Sequence, residues 1–465
     1  PPARARPVTA RSEAPFDLAR PRRLHIVGVT GTGMSAYASV LAQAGHRVTG
    51  SDATPDPAVA TRLRDLGVLV HAGHDAAHVP PDVEAVAAST AVPADNPELA
   101  AARRRPVPVL RRADLLAALC RLRRTLAVAG THGKTTTSAL LAVALRGAGR
   151  HPSFVVGADV PSLDHGAHWD DGDDLLVAEA DESDGTFLEL PRHLALVTSV
   201  EADHLATYGG TIEGLQAAFR RFVVETPGPV VLGIDDLGAA ALLADRPDAA
   251  TFGTAESASF RLTGLAVERL ASRFTLRYAG GTATVELPTP GLHNARNAAG
   301  ALAAGIVLGA DPERAAAALA TYGGVHRRFE PRGEAGGVTY VDDYAHLPGE
   351  VRAVLGAARR GGWPRVVAVF QPHRFSRTAE VHAQFASAFA HADVLVVTGI
   401  YPAGEEPRPG VTGRLIADAS GHRALTYVEH RADVAAAVRA LLQPGDLCLT
   451  MGAGDITGLA DELRA

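Results

Sequence analysis

An apolar run, Thr125 to Ala129, passes directly into Gly130-Thr131-His132-Gly133-Lys134-Thr135-Thr136-Thr137 and then into an alanine- and leucine-rich stretch with helical spacing. Strand, glycine loop and helix in that order are the setting of a phosphate-binding loop, and they commit this region to an α/β sheet. Backbone N–H groups and the helix N-terminus cradle the anion, the lysine reaches the β/γ-phosphates, and the next hydroxyl holds Mg²⁺. The usual spacing places a glycine at 128, where this chain has Val128, so the loop is a shortened variant. The same residues could instead be a Gly/Thr helix cap with an exposed lysine. Against that stands a count: of the 45 Lys and Arg residues, Lys134 is the only lysine. A coding bias towards arginine accounts for the others, and position 134 is then a place where arginine does not serve.

The alternation recurs along the 465 residues, which at ~150 residues per domain make about three domains. Leu24 to Val27 is a short apolar run ending at Gly28, Met34 to Ala44 is helix-like, and Arg47 to Asp52 reads as a second strand ending in an acid. Strand-like runs recur at Leu175 to Ala178, Leu194 to Val200 and Val230 to Ile234. Others follow at Val338 to Val341, Val366 to Phe370, Val394 to Val397 and Leu447 to Leu449. Phe260 to Leu287 alternates as a small antiparallel insertion does, and Asn294 to Leu308 and Pro312 to Ala320 read as helices. The expectation is a chain of parallel α/β sheets, with a flexible tail at 1–23 and domains at 24–124, 125–322 and 323–465.

Composition excludes several classes. With 47% hydrophobic and 21% charged residues, the chain is ordinary globular material, neither disordered nor fibrous. Its 51 acidic and 45 basic residues leave a net charge of −6, a poor basis for general binding to nucleic acid or a membrane surface. No run of about 18 apolar residues is present, and the first 23 residues lack the apolar segment of a signal peptide. Cys120 and Cys448 offer neither a disulfide framework nor metal-ligand spacing, which fits a reducing, cytoplasmic setting.

Leu175 to Ala178 runs into Glu179-Ala180-Asp181-Glu182-Ser183-Asp184. Acids so close repel one another unless solvent or a cation relieves them, so this is a solvated loop or one side of a Mg²⁺ site. Beside a P-loop, the second reading is favoured. Glu201-Ala202-Asp203-His204 ends the next strand, where His204 is either structural or an imidazole ligand.

Together with further motifs downstream, these segments resemble the Mur ligases over nearly the whole chain, from about Leu24 to Ile456. The later motifs are His293-Asn294-x-x-Asn297, Arg327-Arg328-Phe329-Glu330, Asp342 to His346, Gln371 to Thr378 and Tyr401 to Pro407. The resemblance implies a Rossmann-like N-terminal domain, a P-loop central ATPase domain and a Rossmann-like C-terminal domain. It also implies a reaction. ATP phosphorylates a carboxylate, an amine attacks the acyl phosphate, and a tetrahedral intermediate expels phosphate, which demands charge neutralisation more than a covalent nucleophile. Within the family it points to joining L-alanine to the carboxylate of UDP-N-acetylmuramate in peptidoglycan precursor synthesis, with ATP and Mg²⁺.

By the same resemblance, Gly130, Thr131, His132, Gly133, Lys134, Thr135 and Thr136 would hold the ATP phosphates, with Thr135, Glu179 and His204 at the metal. Asn294 and Asn297, one helical turn apart, would hydrogen-bond adenine beside His293, with helix capping after Pro290-Gly291 as the alternative. Arg328 would reach the phosphates and Asp343 the ribose. Arg374 and Arg377 would hold the amino acid's carboxylate, for which a guanidinium fork is well shaped; the alternative is a solvated helix start. Tyr344 and His346 would lie beside the amine. The catalytic set is then Lys134, His204, Arg328, His346, Arg374 and Arg377, assembled by domain closure.

The first glycine loop, Gly28 to Ala36, also satisfies G-x-G-x-x-A at Gly31, Gly33 and Ala36, with Asp52 about 20 residues on, as a dinucleotide site does. In the family this loop receives the UDP pyrophosphate. Gly31, Thr32, Gly33 and Met34 would do so here, with Asp52 and Ser89 on the sugar-nucleotide side. Thr30 and Ala36 replace family glycines and are expected to crowd a pyrophosphate. Ser199, Ala206, Leu347 and Thr398-Gly399-Ile400 also depart from the pattern, and the sole lysine excludes the carbamylated lysine of related ligases. These departures motivate one alternative, a paralogue ligating another carboxylate or amine in specialised metabolism or wall-peptide recycling. An NAD(P)-binding oxidoreductase and a catalytically silent nucleotide-binding regulator are alternatives of other classes. Partners are small molecules, with monomer and homodimer both open.

Overall fold

The computed structural model describes residues 15–89, 91–163 and 165–465. The chain forms two compact units: one runs to Arg261 and includes Ala298–Ala318, and the other comprises Leu262–Asn297 and Leu319–Ala465.

In the first unit, Leu69–Ala72, Arg47–Asp52, Arg23–Val27, Ala85–Ala88 and Val109–Arg111 form a parallel sheet in that order. Strand order reverses at Arg23–Val27, so the loop that follows it opens at the crevice where such sheets bind ligands. Of the expected tail, residues 1–14 lie outside the described residues. In the remainder, Leu18 is buried in the core and Arg22 hydrogen-bonds Asp17 and Glu84.

A second sheet is built around Arg124–Ala129, which runs parallel to Leu194–Val197 on one side and Leu175–Glu179 on the other. Parallel neighbours need crossovers that return the chain to the same starting edge. The segments following these three strands therefore all emerge at one edge, and that places the P-loop, the acidic segment and the Glu201 to His204 turn together. The helix Lys134–Gly147 is buried from Thr136 to Leu145, which only a run rich in small and apolar residues permits. It packs against Pro312–Ala318 so closely that a Cβ on Gly147 would lie 2.1 Å from the Ala318 methyl and 3.1 Å from Arg314 O.

The second unit holds a six-stranded sheet in the order Glu330–Ala335, Val338–Asp343, Asp446–Met451, Arg365–Phe370, Val394–Thr398 and Leu425–Val428. All pairs are parallel except the first. It also contains the antiparallel hairpin Ala271–Tyr278 and Gly281–Leu287. The α/β class and the parallel sheets are as expected, and in this six-stranded sheet the two strands that the sequence reading did not name, Glu330–Ala335 and Leu425–Val428, are its edges. Glu330–Ala335 carries Pro331, Gly333 and two glutamates and shifts register between Pro331 and Gly333, features an edge tolerates and a central strand does not. Among the described residues no helix is long and apolar enough to cross a membrane.

Replacing a helical glycine by alanine ordinarily gains up to about 1 kcal/mol. At Gly147 the Ala318 contact reverses the sign. Gly147→Ala is expected to lower stability by about 1–3 kcal/mol, read as a fall in melting temperature.

Candidate functional site

Gly130 and Gly133 take φ of +132° and +80°. A Cβ at 130 would stand 2.1 Å from Thr198 Oγ1 and 2.9 Å from Ser199 N, so only glycine lets the loop pass the neighbouring strand end. Thr131 N donates to Ser199 O (2.9 Å), Glu201 N to Thr131 Oγ1 (2.9 Å) and His132 N to Ser199 Oγ (3.1 Å). Ser199, a departure from the family pattern, is thus a buttress of the loop. The helix starts at Gly133 with no side-chain cap competing for its first N–H groups, which suits an incoming anion.

Lys134 Nζ donates to Gly130 O (2.9 Å) and sits 3.0 and 2.9 Å from the two Glu182 oxygens. Burial opposes its charge, but the carboxylates of Glu182, Asp181 and Glu179 outweigh it and hold the ammonium above the usual lysine value. Burial in turn pushes Glu182 up. A compact ammonium fits this buried niche and a planar guanidinium does not, which explains the sole lysine.

Glu179 Oε2 accepts from Gly157 N (2.9 Å). His204 has a left-handed φ of +51°, and its Nε2 lies 3.4 Å from Asp203 Oδ2. Among the described residues no three His, Cys, Asp or Glu side chains gather as a metal cage. Mg²⁺ does not require one, because it binds through one or two carboxylates plus substrate phosphates and water. The hydroxyl of Thr135 and the carboxylate of Glu179 are the hard oxygen donors such an ion takes. The imidazole of His204 is a softer donor.

At the first glycine loop, Thr30 is turned back onto Asp52: its hydroxyl and its N–H both donate to Asp52 Oδ2, at 2.6 and 3.1 Å. Ala36 lines a small cavity with Val156 and Ala167. The Thr30 hydroxyl is thus held by Asp52. Gly31 precedes the helix Thr32–Gln43 with no side-chain cap, and Gly33 lies beside the Arg112 side chain. Met34 is 2% exposed within the core, so only its backbone faces the loop. The Thr32 side chain lies outside the described residues. Ser89 Oγ accepts from Ala91 N (3.3 Å). Asp52, the acid a dinucleotide site would offer to a ribose, is engaged by its own loop.

Sequence reasoning missed Arg112, which pairs with Asp181 at 3.4 Å, and Glu98. Glu98 is fully buried and takes hydrogen bonds from Ser51 Oγ (2.5 Å) and Asp75 N (3.2 Å), with His78 Nδ1 at 3.2 Å and His25 Nε2 at 3.4 Å. Burial would raise its pKa, but His25 and Ser51 outweigh it and bring it to about 2. The only local signal was the cap Asn96-Pro97 before it.

In the second unit, four non-glycine residues with left-handed φ flank the expected site residues: Arg327 (+62°), Phe329 (+48°), Arg374 (+68°) and Ala403 (+49°). Each such conformation costs on the order of 1–3 kcal/mol and persists only where surrounding bonds impose it. Arg327 Nη2 donates to Gly452 O (2.6 Å) and Gly454 O (3.1 Å). Phe329 N and Ala345 N donate to the two oxygens of Asp343, both at 2.7 Å. Asp343 is therefore committed to backbone and fixes the turn carrying Arg328. Burial pushes its carboxyl up to about 7. The Arg328 guanidinium lies over the Tyr344 ring.

His293 is pushed down to about 4 by burial and by Arg328, Arg296 and Arg360, so it is neutral at pH 7. Asn294 Nδ2 donates to Pro290 O (2.9 Å), tying the helix start back to the preceding chain, and Asn297 follows on the same helix. Arg374 N donates to Tyr401 O (2.9 Å) and Arg377 Nη1 lies 3.1 Å from His373 Nδ1. His373 stacks on Tyr401 and meets His346 edge-on, and His346 meets Tyr344 the same way. Tyr344, His346, His373, Arg377 and Tyr401 thus form one cluster, to which sequence reasoning had not assigned His373 or Tyr401. Leu347 precedes the helix Pro348–Arg360.

Residues 23–124 match the Mur ligase family catalytic domain, 128–305 the Mur ligase middle domain, and 327–454 the Mur ligase glutamate ligase domain. The chain belongs to the Mur ligase family. This Mur ligase is 46% identical over 458 residues to the UDP-N-acetylmuramate–L-alanine ligase of Saccharopolyspora erythraea, covering 95% of this chain and 93% of that one. It is 44% identical over 451 residues to the ligase of the same name from an Anaeromyxobacter species, covering 96% and 97%. The solved UDP-N-acetylmuramate–alanine ligase of Thermotoga maritima matches with a TM-score of 0.78 at 29% identity, over 95% of this chain and 98% of that one. A murein peptide ligase from Psychrobacter arcticus shares the fold, with a TM-score of 0.67 at 24% identity over 95% and 98%.

Lys134→Ala is expected to cut ATP-dependent phosphate release by roughly 10²–10³-fold or more, with Lys134→Arg failing to restore it. Asp343 gives a pH signature in stability. Its folded pKa of about 7 lies above the ordinary value of 3.8, so its contribution is full below pH ~4 and lost as pH rises through about 7. Thermal melts between pH 4 and 8 should show this component, and Asp343→Asn should remove it.

Proposed function

We propose that this Mur ligase joins L-alanine to the carboxylate of UDP-N-acetylmuramate, converting ATP to ADP and phosphate, as a step of peptidoglycan precursor synthesis. The observation that carries the reading is likeness to relatives of that name at 44% and 46% identity across nearly the whole of both chains. The buried, charged Lys134 at the head of an uncapped helix supports it from the side of the chemistry.

Lys134 and the backbone of Gly130 to Thr136 neutralise and orient the ATP phosphates while the γ-phosphoryl group passes to the sugar's carboxylate. Mg²⁺, bound through Thr135 and Glu179 with His204 beside them, would add positive charge where the transferring group is most negative. Neutral His293 with Asn294 and Asn297 serves the adenine, Arg328 the phosphates, and Asp343 holds the turn beneath Arg328. The backbone of Gly31 to Met34 receives the UDP pyrophosphate, with Asp52 and Ser89 shaping its surroundings. Arg374 and Arg377 bind the alanine carboxylate and leave its amine beside Tyr344 and His346. Attack of that amine on the acyl phosphate gives a tetrahedral centre that expels phosphate. Such a reaction belongs in the cytoplasm, where ATP is abundant and the two free thiols stay reduced. The same likeness to relatives of that name supports this reading over the paralogue.

Phosphate release with ATP and Mg²⁺ should require both UDP-N-acetylmuramate and L-alanine. Silence with that sugar across all common amino acids, despite ATP binding, would transfer the assignment to another carboxylate. Arg377→Ala should raise the KM for L-alanine roughly 10-fold or more, as loss of a charged hydrogen bond does, and leave the KM for ATP nearly unchanged.

A further inference from the structure

Glu350 lies in the first turn of the helix Pro348–Arg360. Its Oε2 accepts from His346 N (3.0 Å) and Leu347 N (3.2 Å) and lies 3.4 Å from His346 Nδ1. Its Oε1 is 3.8 Å from Arg328 Nη1. Capping a helix requires only the two backbone bonds, and an exposed side chain supplies them. This carboxylate is 14% exposed and touches an imidazole and a guanidinium as well. The hydrogen bond of the His346 ring runs from Nδ1 to Tyr344 O at 3.0 Å. A carbonyl can only accept, so Nδ1 carries the proton, Nε2 keeps its lone pair, and Glu350 faces the ring as a charge.

We propose that Glu350 is a positioning residue that holds His346 by its backbone N–H, ties it to Arg328 and stabilises its imidazolium, so that His346 Nε2 takes the proton the incoming ammonium must lose. This rests on the reading above that His346 lies beside the amine. The ammonium gives one proton to Nε2, and Glu350 stabilises the imidazolium that results. The freed nitrogen lone pair forms the C–N bond. The C–O bond to phosphate breaks with its electron pair, and the departing phosphate carries away the second nitrogen proton. His346 then returns its proton to solvent. The charged and titratable groups facing the ring are Glu350, which favours its protonation, Arg377 and Arg328, which oppose it, and the rings of Tyr344 and His373. Burial is the largest influence and keeps the imidazole neutral and able to accept.

Glu350→Gln keeps the shape and an acceptor for the backbone but removes the charge. The expected results are a loss of roughly 10²-fold in kcat, the lower end of what a positioned base contributes, and an acidic limb of the kcat/KM profile for L-alanine displaced to lower pH. Glu350→Asp, which keeps the charge, should recover part of the rate. Nitrogen NMR of histidine-labelled wild-type enzyme reads the tautomer without substrate or variant. A proton on Nε2 of His346 leaves no lone pair for the ammonium and overturns the proposal, and a His346 pKa that falls in Glu350→Gln supports it. A Glu350→Gln enzyme with lower melting temperature but an unmoved pH profile reduces Glu350 to a helix cap and also overturns it. If wild-type enzyme does not turn over UDP-N-acetylmuramate with L-alanine, the proposed function fails, and the His346 pKa read by the same NMR in wild-type and Glu350→Gln enzyme still decides the role of Glu350.

Discussion

The first unit depends on one close approach: the chain leaves a central strand and passes beneath the end of its neighbour with no room for a side chain at Gly130. That approach is imposed from outside the loop by Thr198 and Ser199, whose side chains bond the P-loop backbone, and by Glu201, whose N–H bonds the Thr131 hydroxyl. Helix start, lysine niche and acidic segment all take their positions from it. Because the strands are parallel, their C-terminal ends share an edge, and residues separated by some 70 positions in sequence become hydrogen-bond partners.

In the second unit, order is imposed by backbone strain held in place by buried polar groups. Arg327 and Phe329 bracket Arg328 in conformations that non-glycine residues avoid, and Asp343 and the carbonyls at 452 and 454 hold them there. Strain of this kind preorganises a guanidinium that would otherwise lose considerable side-chain freedom on meeting its ligand. Arg374, held at +68° by its bond to Tyr401 O, follows the same scheme.

The sheets were legible because parallel buried strands are short, branched and continuous in their hydrophobicity. The edge strands Glu330–Ala335 and Leu425–Val428 were not, since an edge needs neither continuity nor burial. Lys134 could be read from its loop and its solitude, and Arg377 from its motif. What could not be read was which polar groups serve their neighbours. Glu98 and Glu350 look like any surface glutamate in sequence and Glu182 like one more acid of its cluster, and only three-dimensional burial turns each into a buried partner of a lysine, a histidine or an arginine. Asp343 and Asn294 illustrate the converse: motif residues whose side chains are largely committed to local backbone. The direction of the Thr30 side chain, set by Asp52, is likewise invisible in one dimension.

The solitude of Lys134 has a consequence for the chemistry of the whole polypeptide. No other side chain in it bears a primary amine, so an electrophile selective for lysine finds a single side-chain target, and that target is sunk in the nucleotide loop with 14% exposure. Acylation there would neutralise the cation that faces the phosphates, while the exterior, built on guanidinium groups, would pass through the same reagent unchanged. Amine-directed modification of this protein's side chains is therefore an occupancy gauge for one pocket, with bound nucleotide as the shield.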